Sequence, residues 1–89
     1  MEIPLDAAFM QVAQEIVEAN WSEAEWAERE ADDWFQVGPY KGGYDATEGA
    51  FCFSYHSGDG SEYWFQFTLA EIFEITSGRR QAVSLRRAQ

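Results

Sequence analysis

Phe51-Cys52-Phe53-Ser54-Tyr55-His56, then Ser57-Gly58-Asp59-Gly60-Ser61, then Glu62-Tyr63-Trp64-Phe65-Gln66-Phe67: this stretch decides the fold. Aromatic residues recur at every second position on both sides of a short glycine-bearing break. That is the period of a strand whose side chains alternate between two faces. The break suits a three-residue hairpin loop with Gly60 in the left-handed conformation. The resulting register sets Phe51 opposite Phe67, Phe53 opposite Phe65 and Tyr55 opposite Tyr63, making one sheet face an aromatic ladder. Cys52 points to the other face as a small, half-buried hydrophobe. A ladder of rings is a floor that helices must cover.

The covering helices are read on either side of the hairpin. Upstream, Leu5, Phe9, Val12 and Ile16 recur at helical spacing, so the pattern predicts a helix over 5–19 with Pro4 and Asp6 in its first turn. Asn20-Trp21-Ser22 is a break, after which Ser22 and Glu25 form a capping box that opens a second helix to about Asp33. A single kinked helix is the alternative. The buried stripe expected on the second helix is Trp21, Ala24, Ala27, Ala31 and Trp34. Trp34–Val37 reads as the start of a strand stopped by Gly38-Pro39. Tyr40–Gly49, with Gly42-Gly43, reads as a long exposed loop. Downstream, Thr68 and Glu71 cap a short helix through Leu69, Ile72, Phe73 and Ile75, closed by Gly78. Gln81–Leu85 fits an edge strand better than a short helix. The expected fold class is α+β: N-terminal helices packed on a small antiparallel sheet built around the aromatic hairpin, in one domain over 1–89 with a basic tail over 79–89.

Composition agrees with a packed core. A chain of 89 residues with seven Phe, four Trp and four Tyr builds its interior from rings, each of which removes about 150–250 Å² from water when buried. One cysteine excludes an intramolecular disulfide and a thiolate metal cluster. No apolar run approaches the ~20 residues of a spanning helix. With no basic and apolar leader at its start, the chain is expected in a reducing, cytoplasmic setting.

Catalytic chemistry is not expected. His56 is the single histidine, and its neighbours Ser57, Asp59, Ser61 and Glu62 all sit on one hairpin tip, where nothing excludes water. In the register above, His56 faces Glu62 as a cross-strand pair. The loop around Asp59 lacks calcium-loop spacing, and turn chemistry explains it. The glycines of Gly38–Gly43 do not match a phosphate-binding loop, and Pro39 removes an amide such a loop would use. No cofactor, metal site or catalytic residue is assigned.

Charge is the remaining signal. Residues 1–78 carry sixteen acids against Arg29 and Lys41, a net of −14, whereas Arg79, Arg80, Arg86 and Arg87 fall in the last eleven residues. Such a body repels nucleic acid and anionic membrane and attracts basic surfaces. Eight of the acids lie between Glu15 and Asp33 with a single base among them. On a helical wheel Glu25, Glu28 and Asp32 share one flank, while Glu23, Glu30 and Asp33 share the other with Trp26 among them. Like charges at these spacings destabilise a helix by about 0.2–0.5 kcal/mol per pair, and a face built only for solvation would intersperse Lys or Arg. Glu18, Glu23, Glu25, Trp26, Glu28, Glu30, Asp32 and Asp33 are therefore the candidate partner-binding residues. The expected partner is a basic nucleic-acid-binding protein or complex, with the chain acting as a monomer or homodimer.

A short chain with pI near 4.2, rich in aromatics, without catalytic groups and with an acidic helical ridge, resembles the phage-encoded inhibitors that mimic DNA. Anti-CRISPR proteins, anti-restriction proteins and uracil-glycosylase inhibitors include examples. The resemblance covers the body of the chain and is one of composition. It implies that helical carboxylates stand in for phosphates, which recur at about one charge per 1.7 Å of duplex axis, and that the target is a nucleic-acid-binding complex such as a CRISPR effector. The basic tail departs from a pure DNA mimic, and pairs with the protein's own acids or supports a dimer contact. The same electrostatics suit two alternatives: an immunity or antitoxin protein that neutralises a basic nuclease toxin, and an accessory protein with an ordinary acidic surface.

Overall fold

Among the residues described by the computed structural model, 2–29 and 34–87, the chain runs β1 (Glu2–Pro4), α1 (Ala7–Ala19), α2 (Glu23–Glu28), β2 (Trp34–Val37), β3 (Tyr40–Asp45), β4 (Ala50–His56), β5 (Glu62–Phe67), α3 (Leu69–Thr76), β6 (Ala82–Ser84) and β7 (Arg86–Arg87). The main sheet is antiparallel throughout, in the order β2-β3-β4-β5-β7, and β1 pairs with β6 as a separate ribbon. The architecture is the α+β arrangement read from the sequence.

The β4–β5 hairpin has the expected register: Phe51↔Phe67, Phe53↔Phe65, Tyr55↔Tyr63 and His56↔Glu62. Gly60 closes its loop at φ +89, where a side chain would be strained. Phe53 and Phe65 stack at 5.6 Å. Phe9 descends from α1 onto this ladder and meets Tyr40, Phe53 and Phe65 edge-on, with centroids 5.3, 5.2 and 5.4 Å away. Such edge-to-face pairs add about 0.5–1.5 kcal/mol each beyond area burial. α1 takes the position that lets Phe9 do this because Asp6 caps it: one carboxylate oxygen accepts the Phe9 N–H at 3.0 Å, and the other accepts the Tyr40 hydroxyl at 3.2 Å. At its far end Asn20 adopts φ 56 and ends the helix.

Three expectations need correction. The Tyr40–Gly49 segment is not a long exposed loop: Tyr40–Asp45 is strand β3, in the interior of the sheet, and Tyr40 and Tyr44 are buried. Gly42 is there because the backbones approach closely, and a Cβ on it would run into the Cys52 carbonyl. The true loop is the short turn after Asp45, whose carboxylate accepts the Thr47 and Glu48 amides. Gly38-Pro39 stops β2 at Val37, as expected, and forms the two-residue turn into β3, with Gly38 at φ +58 and Val37 paired to Tyr40. The second helix ends at Glu28 rather than near Asp33, the Arg29 N–H bonding back to the Trp26 carbonyl. Repulsion among Glu23, Glu25 and Glu28 gives it no support for a longer run. Residues 30–33 lie outside the described part. Finally, Pro4 belongs to β1 rather than to the first turn of α1.

The tail forms strand, the reading of Gln81–Leu85 that the sequence favoured over a short helix. β6 pairs with β1 through Ile3↔Val83, Leu85 is buried, and β7 then joins the edge of β5 through Trp64↔Arg86. The two ends of the described chain are thereby held together. α3 is capped by Thr68 and Glu71 as expected and is followed by Gly78 at φ +82.

Phe9→Ala should cost about 3–5 kcal/mol, seen as a large fall in the denaturation midpoint; a variant melting within a few degrees of wild type would contradict the edge-on packing. Gly42→Ala should also be strongly destabilising, whereas Gly58→Ala, with open space around it, should be near neutral. Thermal melts of the two glycine variants check this directly.

Candidate interaction surface

α1 and α2 place the candidate acids by local chemistry. On α1, Phe9, Val12, Ala13 and Ile16 are buried, which turns Glu15 and Glu18 to solvent. On α2, Glu23, Glu25 and Glu28 are all exposed. The Glu25 carboxylate accepts the Ser22 N–H at 3.0 Å while the Ser22 hydroxyl accepts the Glu25 N–H at 3.3 Å. The Ser22 backbone N–H, more than any other contact, holds the Glu25 carboxyl below its ordinary value, keeping it charged. Glu25 is thus oriented by its cap while remaining in water. Glu30, Asp32 and Asp33 lie outside the described residues.

Trp26 does not stand among these acids on the surface. It is 2% exposed, and its ring packs on Trp21 at 4.6 Å and edge-on to Phe51 at 5.0 Å. The wheel reading took the run of alanines as the buried stripe, yet Ala24 is exposed and Ala27 only half-buried. Burying one indole removes far more apolar area from water than burying several methyl groups, so the ring sets the rotation of so short a helix. Trp26 is a core residue, and the anchor role assigned to it on the surface is withdrawn. Its buried indole N–H has no hydrogen-bond partner among the described residues, a desolvation cost of about 1–3 kcal/mol. Ala31 and the side chain of Trp34 are outside the described part.

The bases are placed differently. Both ion pairs among the described residues belong to Arg80, which reaches Glu71 at 3.4 Å and Glu74 at 2.9 Å. Arg29 lies over Trp21 at 4.2 Å and Arg86 over Trp64 at 5.0 Å. The basic tail therefore does pair, through Arg80, with the protein's own acids. Lys41 and Arg86 fall on the sheet face away from the ladder, by their pairing with Ser54 and Trp64.

Phe73 is the residue the sequence reading passed over. It was counted with the apolar positions of α3, but it is 48% exposed, the one large apolar side chain so exposed among the described residues. The wheel carries the signal: at about 100° per residue Phe73 lies about 160° from buried Ile75 and about 40° from Leu69.

The remaining titratable groups are explained locally. Asp59 is drawn down to about 2 by the Ser57 hydroxyl and the Ser61 amide, as turn chemistry requires. Burial, foremost, pushes the Cys52 thiol up to about 11; its Sγ lies 3.7 Å from the Gln66 side chain on the outer sheet face. Among the described residues, no cluster of His, Cys, Asp and Glu side chains is arranged to hold a metal ion, and no helix is long and apolar enough to cross a membrane. Comparison with protein-family models, with curated proteins and with solved structures finds no match for this chain.

Trp26→Ala should unfold the protein or cost about 3–5 kcal/mol, with Trp26→Phe much milder because it also removes the orphaned N–H; urea denaturation distinguishes the two. Cys52 should be alkylated at pH 8 roughly a hundredfold more slowly in the folded than in the denatured chain, because little of it is thiolate. Equal labelling rates would contradict its placement.

Proposed function

We propose that the protein is a non-catalytic inhibitor that binds a basic nucleic-acid-binding protein or ribonucleoprotein, of the anti-CRISPR or DNA-mimic kind, with helical carboxylates occupying positions that phosphates would take. One observation supports this reading above the rest. Glu15, Glu18, Glu23, Glu25 and Glu28 are all exposed, while both ion pairs among the described residues are made elsewhere, by Arg80. Carboxylates three apart on a helix rise by about 4.5 Å along its axis, a spacing on the scale of a lysine- and arginine-lined groove. A host cytoplasm would be the setting of such an inhibitor.

The partner-binding set is revised accordingly. Glu18, Glu23, Glu25 and Glu28 remain in it, and Glu30, Asp32 and Asp33 extend it by sequence alone. Trp26 leaves it.

The test is a titration of purified CRISPR effector ribonucleoprotein with the protein, reading the effector's binding to target DNA at low and high salt. The wild type should compete with DNA, and competition should weaken steeply with salt, because exposed charges are screened over about 10 Å at 0.1 M. Glu18→Lys, Glu23→Lys and Glu28→Lys together should abolish competition while leaving the Tm equal or higher, since like-charge repulsion is removed. Glu25 is spared because it caps α2. Salt-independent competition, unchanged in the triple variant, would mean that the acids are only solvated.

A further inference from the structure

We infer that Phe73 and the hollow beside it are the docking point for an apolar side chain projecting from a basic protein surface. The inference rests on the acidic-partner reading above and supplies what the burial of Trp26 took from it, an aromatic anchor within a charged rim.

Phe73 is 48% exposed on α3, whose Ile72 and Ile75 are buried. On the α2 side it borders an open hollow of about 300 Å³ lined by Glu23, Thr68, Leu69, Ala70 and Phe73. The first turns of α2 and α3 thus meet at one place, bringing a ring, a leucine and an alanine beside a carboxylate. Apart from the Glu23 carboxylate, the hollow has little hydrogen-bonding capacity to offer a polar guest: Thr68 lends its hydroxyl oxygen to the Glu71 N–H at 3.2 Å as the helix cap. The matching guest is therefore apolar at its tip.

Charge fixes what surrounds that tip. Glu23 lines the hollow, and exposed Glu25 and Glu28 follow it along α2. Arg80 is engaged by Glu71 and Glu74, and Arg79 lies on the other side of Phe73, in an adjoining hollow that Ala70 and Phe73 also line, together with Glu74 and Ser77. A guest entering from the α2 side meets Glu23, Glu25 and Glu28, with Arg29 at the far end of α2 as the one base there among the described residues, and is favoured when it carries cations around its apolar tip. A second copy of this chain does not fit, since it would bring its own Glu23 and a net charge of −10. Hot spots of protein interfaces have this composition, an aromatic contact sheltered by a polar rim that excludes water.

The test uses two short synthetic peptides of equal positive charge, one with a central leucine and the other with serine there, titrated into isotope-labelled protein and followed by amide NMR at low and high salt. The leucine peptide should perturb Glu23, Leu69, Ala70 and Phe73 and bind roughly tenfold more tightly than the serine peptide. Phe73→Ser should erase that difference and lower Tm only modestly, since the ring is half in water, while Phe73→Leu should keep most of it. Equal binding of the two peptides, with shifts confined to α1 and the exposed side of α2, would overturn the docking inference and leave the acidic-surface reading standing. No salt-dependent binding of either peptide would overturn both. A Phe73-dependent dimer in sedimentation would also overturn the inference, by making a second copy the occupant.

Discussion

Phe9 is a single ring on α1 that touches three adjacent strands at once: Tyr40 on β3, Phe53 on β4, and Phe65 and Phe67 on β5. A chain this short buries only about 60–65% of its unfolded surface, so it cannot spread its stability over many modest contacts. It concentrates them in rings that meet edge to face. Once Phe9 is seated, Asp6 must sit where it both caps α1 and receives the Tyr40 hydroxyl. The direction of α1 is then set, and with it the place where Asn20 ends the helix and Ser22 starts α2.

The parts that were legible in the sequence were those governed by local or period-two chemistry. The hairpin register followed from alternating rings around a left-handed glycine, and the caps at Ser22 and Thr68 followed from side chains three residues from their partners. β3 was not legible because Gly42 and Gly43 look like a break. What Gly42 reflects is a close approach of two backbones, a property of the partner strand rather than of the segment itself. β1 was equally obscure: it is three residues long and has no period to read, whereas β6 falls within the Gln81–Leu85 stretch read as a strand. The exposed acids needed no structure to be identified, since carboxylates seldom bury. The aromatic neighbour of those acids did need it, because whether Trp26 or Phe73 faces water depends on which ring finds a pocket in the core.

The bases are as telling as the acids. Arg29 and Arg86 lie over tryptophan rings and Arg80 is held by two glutamates, so three of the chain's six bases are engaged where they stand. Lys41 and Arg86 lie on the sheet face away from the helices. The exposed acids of α1 and α2 are thus segregated along the sequence from most of the bases, with Arg29 alone beside them among the described residues. A field of one sign over one face steers an oppositely charged partner toward that face during encounter, and raises association rates most at low salt.

Segregation of this kind has a structural cost that a solvated surface would avoid. Each like-charge pair on a helix destabilises it by about 0.2–0.5 kcal/mol, and α2, a helix of six residues, is too short to persist in isolation. It persists because Trp26 is pinned between Trp21, Phe35 and Phe51, even with no partner for its indole N–H among the described residues. The same ring therefore explains two facts that look unrelated: why a helix of acids without a cation in its last turn holds together, and why those acids all face water. An anchor buried this deeply cannot also grip a partner. The aromatic contact available to one falls instead to Phe73, where α3 comes up against the first turn of α2 and a ring is left half in water beside Glu23.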